Sequence, residues 1–192
     1  YPKEPGDGRF ISWHQDSAHW RLDSDRVLTV WIALTEASEA NGCMQMLPCS
    51  QIGGLAPHRD TWNANNILTR GQTIDADIDE TESVWVVLQP GEASLHHVGM
   101  WHASKPNETN ERRVGVALRY ITPEARQERV KTDFATLLRG EDHYGHFQPE
   151  ALPRVTMHPD AVEEHQRIAN IQGQIYLSGT NRAGVSGLIE TN

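Results

Sequence analysis

The strongest constraint on this chain's fold is a succession of short apolar runs, rich in β-branched and aromatic residues and separated by turn chemistry. "FISWHQD" (10–16) alternates as a half-buried strand does, and "RVLTVWIALTE" (26–36) reads as a buried one. "CMQMLP" (43–48) is a further short strand. "SVWVVLQPGEASLHHV" (83–98) breaks into two strands at Pro90-Gly91, and "VGVALRYIT" (114–122) is the last. Short strands joined by irregular connections predict an antiparallel barrel or jelly roll.

The intervening segments are turn-like. Residues 1–9, "YPKEPGDGR", read as a Pro/Gly loop, and "EASEANG" (36–42) as a turn. The polar stretch 50–80 is long for a connection in a compact domain, so it is expected to serve function as a loop or lid over the substrate. Its Arg59, Arg70 and His58 are the obvious partners there for an anion. After residue 122 the character changes. "PEARQERVKTDFATLL" carries strong helix formers and predicts one helix, and "DAVEEHQRIANIQGQIYL", opened by Pro159 and Asp160, predicts another. The expected organisation is one domain over residues 1–192, with core strands at about 10–122 and a helical, irregular region from 123.

Bulk properties narrow the function. The 192 residues carry a net charge of −9, which disfavours nucleic acid and anionic membranes as partners. No apolar run reaches the length of a membrane span, and no signal peptide is visible. Cys43 and Cys49 fit no disulfide framework or common zinc spacing and read as plain thiols of a reducing compartment, so a cytoplasmic protein is expected. Because the first residue is Tyr1 and not Met, the chain is expected to be a fragment lacking its true N-terminus.

Chemistry concentrates in two segments. In a strand, residues two apart face the same way, so His14 and Asp16 of "WHQD" could hold one ion together while Gln15 faces away. Downstream, "LHHVGMWHASKPNETNERRVGVALRY" offers His96, His97 and His102 as candidates for a third ligand. It then brings Arg112 and Arg113 to the start of a strand, where only one of them can point inward. Two imidazoles and one carboxylate on a single face of a metal leave the opposite positions open. That set suits non-haem Fe(II), with a chelating 2-oxo acid and then O2 on the open side. The far carboxylate of such a co-substrate requires a cation, for which an Arg fork is well shaped.

"WHQD", "VWIALTEASEANGCMQMLP" and "HASKPNETNERRVGVALRY" resemble, in order and over roughly residues 3–122, the phytanoyl-CoA dioxygenase family of Fe(II)/2-oxoglutarate-dependent oxygenases. The resemblance implies a double-stranded β-helix (jelly roll), mainly β with flanking C-terminal helices. It also implies that a largely helical N-terminal region precedes the part seen here. Carried over by position, it makes His14, Asp16 and His102 the iron ligands and Arg113 the anchor of the 2-oxoglutarate carboxylate. Ser104 then assists at that carboxylate, and Trp31 lines the co-substrate pocket. The related halogenases have a small residue where Asp16 stands, so the carboxylate implies hydroxylation. The expected enzyme consumes Fe(II)-bound 2-oxoglutarate and O2, hydroxylates an unactivated C–H bond of a small organic molecule, and releases succinate and CO2. Two other classes share parts of the pattern. One is a cupin-like metal dioxygenase or isomerase that makes no use of 2-oxoglutarate. The other is a jelly-roll binding module without catalysis. The sequence leaves substrate identity and oligomeric state open.

Overall fold

The structure is a computed structural model describing residues 2–181. These residues form two compact units, one of residues 2–18 and 25–121, the other of residues 19–24 and 122–181. In chain order the first unit contains β1 (Pro2–Lys3), β2 (Ile11–His14), β3 (Val27–Ala33), β4 (Met44–Met46), β5 (His58–Asp60) and β6 (Gln72–Ile74). It continues with β7 (Val84–Val86), β8 (Ala93–His97), β9 (His102–Ser104) and β10 (Arg113–Ile121). A short helix, α1 (Asp16–Trp20), follows β2. The second unit holds β11 (Phe134–Ala135), β12 (Gln148–Pro149) and α2 (Pro159–Leu177).

Two four-stranded antiparallel sheets build the first unit, in the orders β1-β10-β3-β8 and β2-β9-β4-β7. This is the jelly roll expected, and the alternation within its strands explains it. In β3 and β10, Val27, Thr29, Trp31 and Ala33 face inward with Arg113 and Gly115. Leu28, Val116, Leu118 and Tyr120 face out and are exposed. The core pairs Trp31 and Ala33 of one sheet with Cys43, Met44, Trp85 and Val86 at the other. Burying these side chains contributes about 1.5–3 kcal/mol for each large one. Gly115 has a packing reason: a Cβ there would lie 2.0 Å from the Trp31 ring, so the indole lies directly on the β10 backbone.

Several local expectations change. Pro2–Lys3 is a strand, paired with Val114 and Arg113, and not part of a loop. The strands on either side of Pro90-Gly91 do not pair with each other, because β7 joins β4 and β8 joins β3. The 50–80 segment carries the β5–β6 hairpin. Arg70 and Arg59 are engaged within it, with Asp60 at 2.5 Å and Asp75 at 3.2 Å.

In the second unit α2 forms where the sequence predicts it, with the His158 side chain accepting from the Asp160 N–H and Pro159 in the first turn. The predicted helix over 123–138 does not form. Its residues have helix-forming side chains but no continuous apolar stripe to bury, and propensity alone seldom sustains a short helix. The backbone donors go elsewhere: Arg126 N–H to the Asp23 carboxylate, Glu128 N–H to the Arg21 carbonyl. No helix among the described residues is long and apolar enough to cross a membrane.

Candidate metal centre and anion pocket

β2 and β9 are antiparallel neighbours, and their register sets His14 directly opposite His102. The rings lie 4.0 Å apart between centroids. Asp16 is not on the strand with His14. β2 ends at His14, and Asp16 is the first residue of α1, so the chain turns before the carboxylate is placed. The three side chains still converge. Asp16 Oδ1 is 3.7 Å from His14 Nε2 and 4.0 Å from His102 Nε2, and one ligand atom from each residue lies within 4.8 Å of the others. All three residues are buried.

The surroundings prepare these groups to ligate. His14 Nδ1 is 2.8 Å from the Ser12 carbonyl and His102 Nδ1 is 2.8 Å from the Met100 carbonyl. A carbonyl only accepts, so each Nδ1 carries the proton and each Nε2 presents its lone pair toward Asp16. Burial, with the neighbouring His14 next in effect, lowers the His102 pKa to about 3 and keeps that imidazole neutral, the form that binds metal. For Asp16, burial alone would favour the acid. The adjoining His14 and His102 rings and the Arg119 guanidinium outweigh it and hold the carboxyl well below its usual range. Thr29 Oγ1 donates to Asp16 Oδ2 at 3.2 Å, leaving Oδ1 facing the imidazoles. Two imidazoles and one carboxylate converging in this way fit Fe(II).

The rival histidines are placed apart. His96 faces inward and is buried, with its ring 5.2 Å from that of His102, but it is not in the ligand cluster. His97 points the other way and accepts the Gly99 N–H. Gln15, assigned no iron role, is fully buried. Its amide donates to the Gly54 and Gly99 carbonyls and accepts from the Ala56 N–H, which fixes the start of the 50–80 segment beside the centre.

Of the two arginines, Arg113 enters the interior at 2% exposure, while Arg112 pairs at the surface with Glu4 at 2.6 Å. Arg113 Nε is buried without a hydrogen-bond partner among the described residues. Its guanidinium lies 5.3 Å from the Trp31 ring centre. Burial lowers the Arg113 pKa to about 10, so it remains a cation at neutral pH. Ser104 Oγ donates to the Gly42 carbonyl at 2.8 Å and accepts from Lys3 Nζ at 2.5 Å. Lys3 carries no local signal in the sequence. Only the register of β1, which places it opposite Arg113, reveals it.

The profile of the family described as "Phytanoyl-CoA dioxygenase (PhyH)" matches residues 1–115. A relative from Stutzerimonas stutzeri, named "Probable alpha-ketoglutarate-dependent hypophosphite dioxygenase", is 35% identical over 124 residues, covering 64% of this chain and 43% of that protein. The chain therefore spans less than half the length of that relative. Among solved structures, the non-heme monooxygenase ThoJ in its apo form is 34% identical, with a TM-score of 0.78 over 91% of this chain and 64% of its own. EvdO2 from Micromonospora carbonacea var. aurantiaca, complexed with 2-oxoglutarate, is 34% identical with a TM-score of 0.53 over 62% of this chain and 47% of its own. With the His–Asp–His cluster, these names indicate Fe(II), 2-oxoglutarate and O2 as the cofactor set. A profile match that begins at the β1 lysine strand and runs through the Arg113 strand, over more than half of the chain, places this protein in the phytanoyl-CoA dioxygenase family.

Proposed function

We propose that this chain carries the active site of an Fe(II)- and 2-oxoglutarate-dependent dioxygenase that hydroxylates an unactivated C–H bond of a small organic molecule. The observation that carries the reading is the pairing of a preorganised His14–Asp16–His102 cluster with a buried cation, Arg113, whose Nε has no hydrogen-bond partner among the described residues. A metal cluster alone would serve a cupin-like enzyme equally well; the buried Arg113 cation supports a site for a dicarboxylate.

In this reading His14, Asp16 and His102 hold the metal. Arg113 takes the distal carboxylate of 2-oxoglutarate, Ser104 assists at that end, and Trp31 bounds the pocket. When bound, Fe(II) and 2-oxoglutarate supply the oxidising power: the 2-oxo acid and O2 become succinate and CO2, and the second oxygen atom is inserted into the substrate C–H bond. The chain's own work is positional. Thr29 and the Ser12 and Met100 carbonyls fix the orientation of the metal-facing atoms, and burial of the three ligands excludes bulk water. A carboxylate at Asp16 occupies the position that a halide would need, which favours hydroxylation.

Anaerobic titration of the Fe(II)-loaded chain with 2-oxoglutarate tests the reading. A visible charge-transfer band of the chelate is expected, absent in His102→Ala and strongly weakened in Arg113→Ala, followed by O2-dependent succinate release. An Fe(II)-loaded chain that shows no band and releases no succinate would overturn it.

Arg119 favours a second reading at the level of substrate. Its guanidinium lies 3.9 Å from Asp16 Oδ2, on the inward row Arg119–Thr29–His96 beside the metal ligands. A cation there suits a substrate with an anionic group. The test is whether succinate formation is stimulated by small carboxylates or phosphorus oxyanions, and whether Arg119→Leu removes that stimulation while 2-oxoglutarate binding persists.

A further inference from the structure

Two cations stand opposite each other inside the first unit. Lys3 and Arg113 are Cα partners across β1 and β10, so their side chains leave the sheet on the same face. Lys3 is fully buried and Arg113 is 2% exposed. Like charges directly opposite are unfavourable, and a buried lysine ordinarily has a carboxylate beside it. Among the described residues none contacts it. Lys3 Nζ donates to Ser104 Oγ at 2.5 Å, to the Ser104 carbonyl at 3.3 Å and to the Lys105 carbonyl. Asp7, the acid whose charge reaches it, is already held by Arg9 at 2.7 Å.

The chain is arranged to keep Lys3 there. Asn107, 1% exposed, donates to the Lys3 and Glu111 carbonyls at 3.1 and 2.7 Å, tying β1 to the turn that precedes β10. Gly42 supplies the space: at φ +74 a Cβ would fall 2.2 Å from the Lys105 carbonyl and 3.0 Å from Lys3 Nζ.

We propose that Lys3 is a positioning residue for the co-substrate, a second buried positive charge that acts with Arg113 and through Ser104 to select a 2-oxo acid bearing a second carboxylate. The inference rests on the 2-oxoglutarate reading above. All three N–H bonds of Lys3 are engaged by Ser104 and Lys105, so it does not grip the ligand itself. Its ammonium polarises the Ser104 hydroxyl, whose proton points at Gly42 and can turn to an arriving carboxylate, and its charge deepens the potential at Arg113. A dianion spanning metal and pocket replaces repulsion between the two cations with attraction to both. Burial, with Arg113 next in effect, brings the Lys3 pKa down to about 7, as expected of a cation awaiting its counter-charge.

The test compares two ligands on the Mn(II)-loaded chain by calorimetry: 2-oxoglutarate, and 2-oxovalerate, which has the same carbon chain without the second carboxylate. Lys3→Met is expected to weaken 2-oxoglutarate about tenfold or more and to leave 2-oxovalerate within about twofold. Lys3→Gln, which keeps amide donors but not the charge, is expected to do the same and serves if the methionine variant does not fold. In turnover the loss appears in KM for 2-oxoglutarate, with kcat retained. Equal weakening of both ligands, or no weakening, would overturn the role of Lys3 while leaving the cofactor reading intact. If the parent chain binds no 2-oxoglutarate, the cofactor reading fails and this inference with it.

Discussion

Asp16 illustrates how much of the candidate metal centre depends on residues outside the ligand cluster. One oxygen is turned to the imidazoles because Thr29 holds the other at 3.2 Å. Removing a partner that orients a ligand typically costs 10–100-fold in metal affinity. Thr29→Val is therefore expected to weaken Fe(II) or Mn(II) binding about tenfold in a chelator competition while the fold is retained; unchanged affinity would show that Asp16 needs no such support. The same scale decides Gly115. A methyl group there meets the Trp31 indole at 2.0 Å, with backbone on one side and a packed ring on the other. Gly115→Ala is expected to destabilise the chain by about 1–3 kcal/mol, the usual cost of overpacking, as read by urea unfolding. Because the indole also lies under Arg113, the variant should additionally weaken 2-oxoglutarate binding. Glycine at 115 was visible in the sequence; what it accommodates was not, since the ring comes from a strand more than eighty positions earlier.

Among the elements, legibility followed from whether the signal was local. β3 and β10 are long runs of β-branched and aromatic residues whose alternate side chains are buried, and α2 has its start signal in Pro159 and Asp160, so each could be read where it stands. β1 could not, because a two-residue strand exists only through its partner in β10. The failed helix after residue 122 is the converse case, in which local propensity points one way and the available burial another. His14, Asp16 and His102 were legible through spacing and family pattern, yet the reason His14 meets His102 is the β2–β9 register, and the i,i+2 argument for Asp16 does not apply once α1 begins there. The structural role of Gln15 is not legible locally, because its partners lie far along the chain. Its side chain makes three hydrogen bonds, two to the loop after β4 and one to the Gly99 carbonyl between β8 and β9. Gln15→Ala leaves buried donors and acceptors unpaired and is expected to cost about 2 kcal/mol or more. Hydrogen exchange can locate the effect: the Ala56 amide, whose acceptor is the Gln15 side chain, should exchange much faster, and the loop as a whole should open before the sheets do. Protection at Ala56 equal to that of the parent would refute the link.

Across the whole molecule, the charge balance has a consequence that can be read in stability. The chain carries a net charge of −9, yet its first unit buries two adjacent cations, Lys3 and Arg113. Burial and the Arg113 charge lower the Lys3 pKa from 10.5 to about 7, and Asp7, Cys43 and Arg9 are the other charges acting on it. Below pH 7 Lys3 is protonated in both folded and unfolded chains. Above it the folded chain releases the proton while the unfolded chain retains it, so the unfolded state binds more protons and stability rises with pH. Cys43 acts in the opposite sense higher up. Burial raises its thiol from 9.0 to about 11, so above pH 9 the unfolded chain loses that proton first and stability falls. The Lys3 contribution is therefore cleanest between pH 7 and pH 9, where it amounts to about 2 kcal/mol. Denaturant unfolding of the ligand-free chain across that window is expected to show this gain relative to Lys3→Met. A saturating dicarboxylate should shrink it, because a bound anion restores the Lys3 proton. Parallel pH curves for parent and variant would mean that the charge of Lys3 is already compensated within the fold. A difference that disappears on adding 2-oxoglutarate would mean that the compensation is the ligand's.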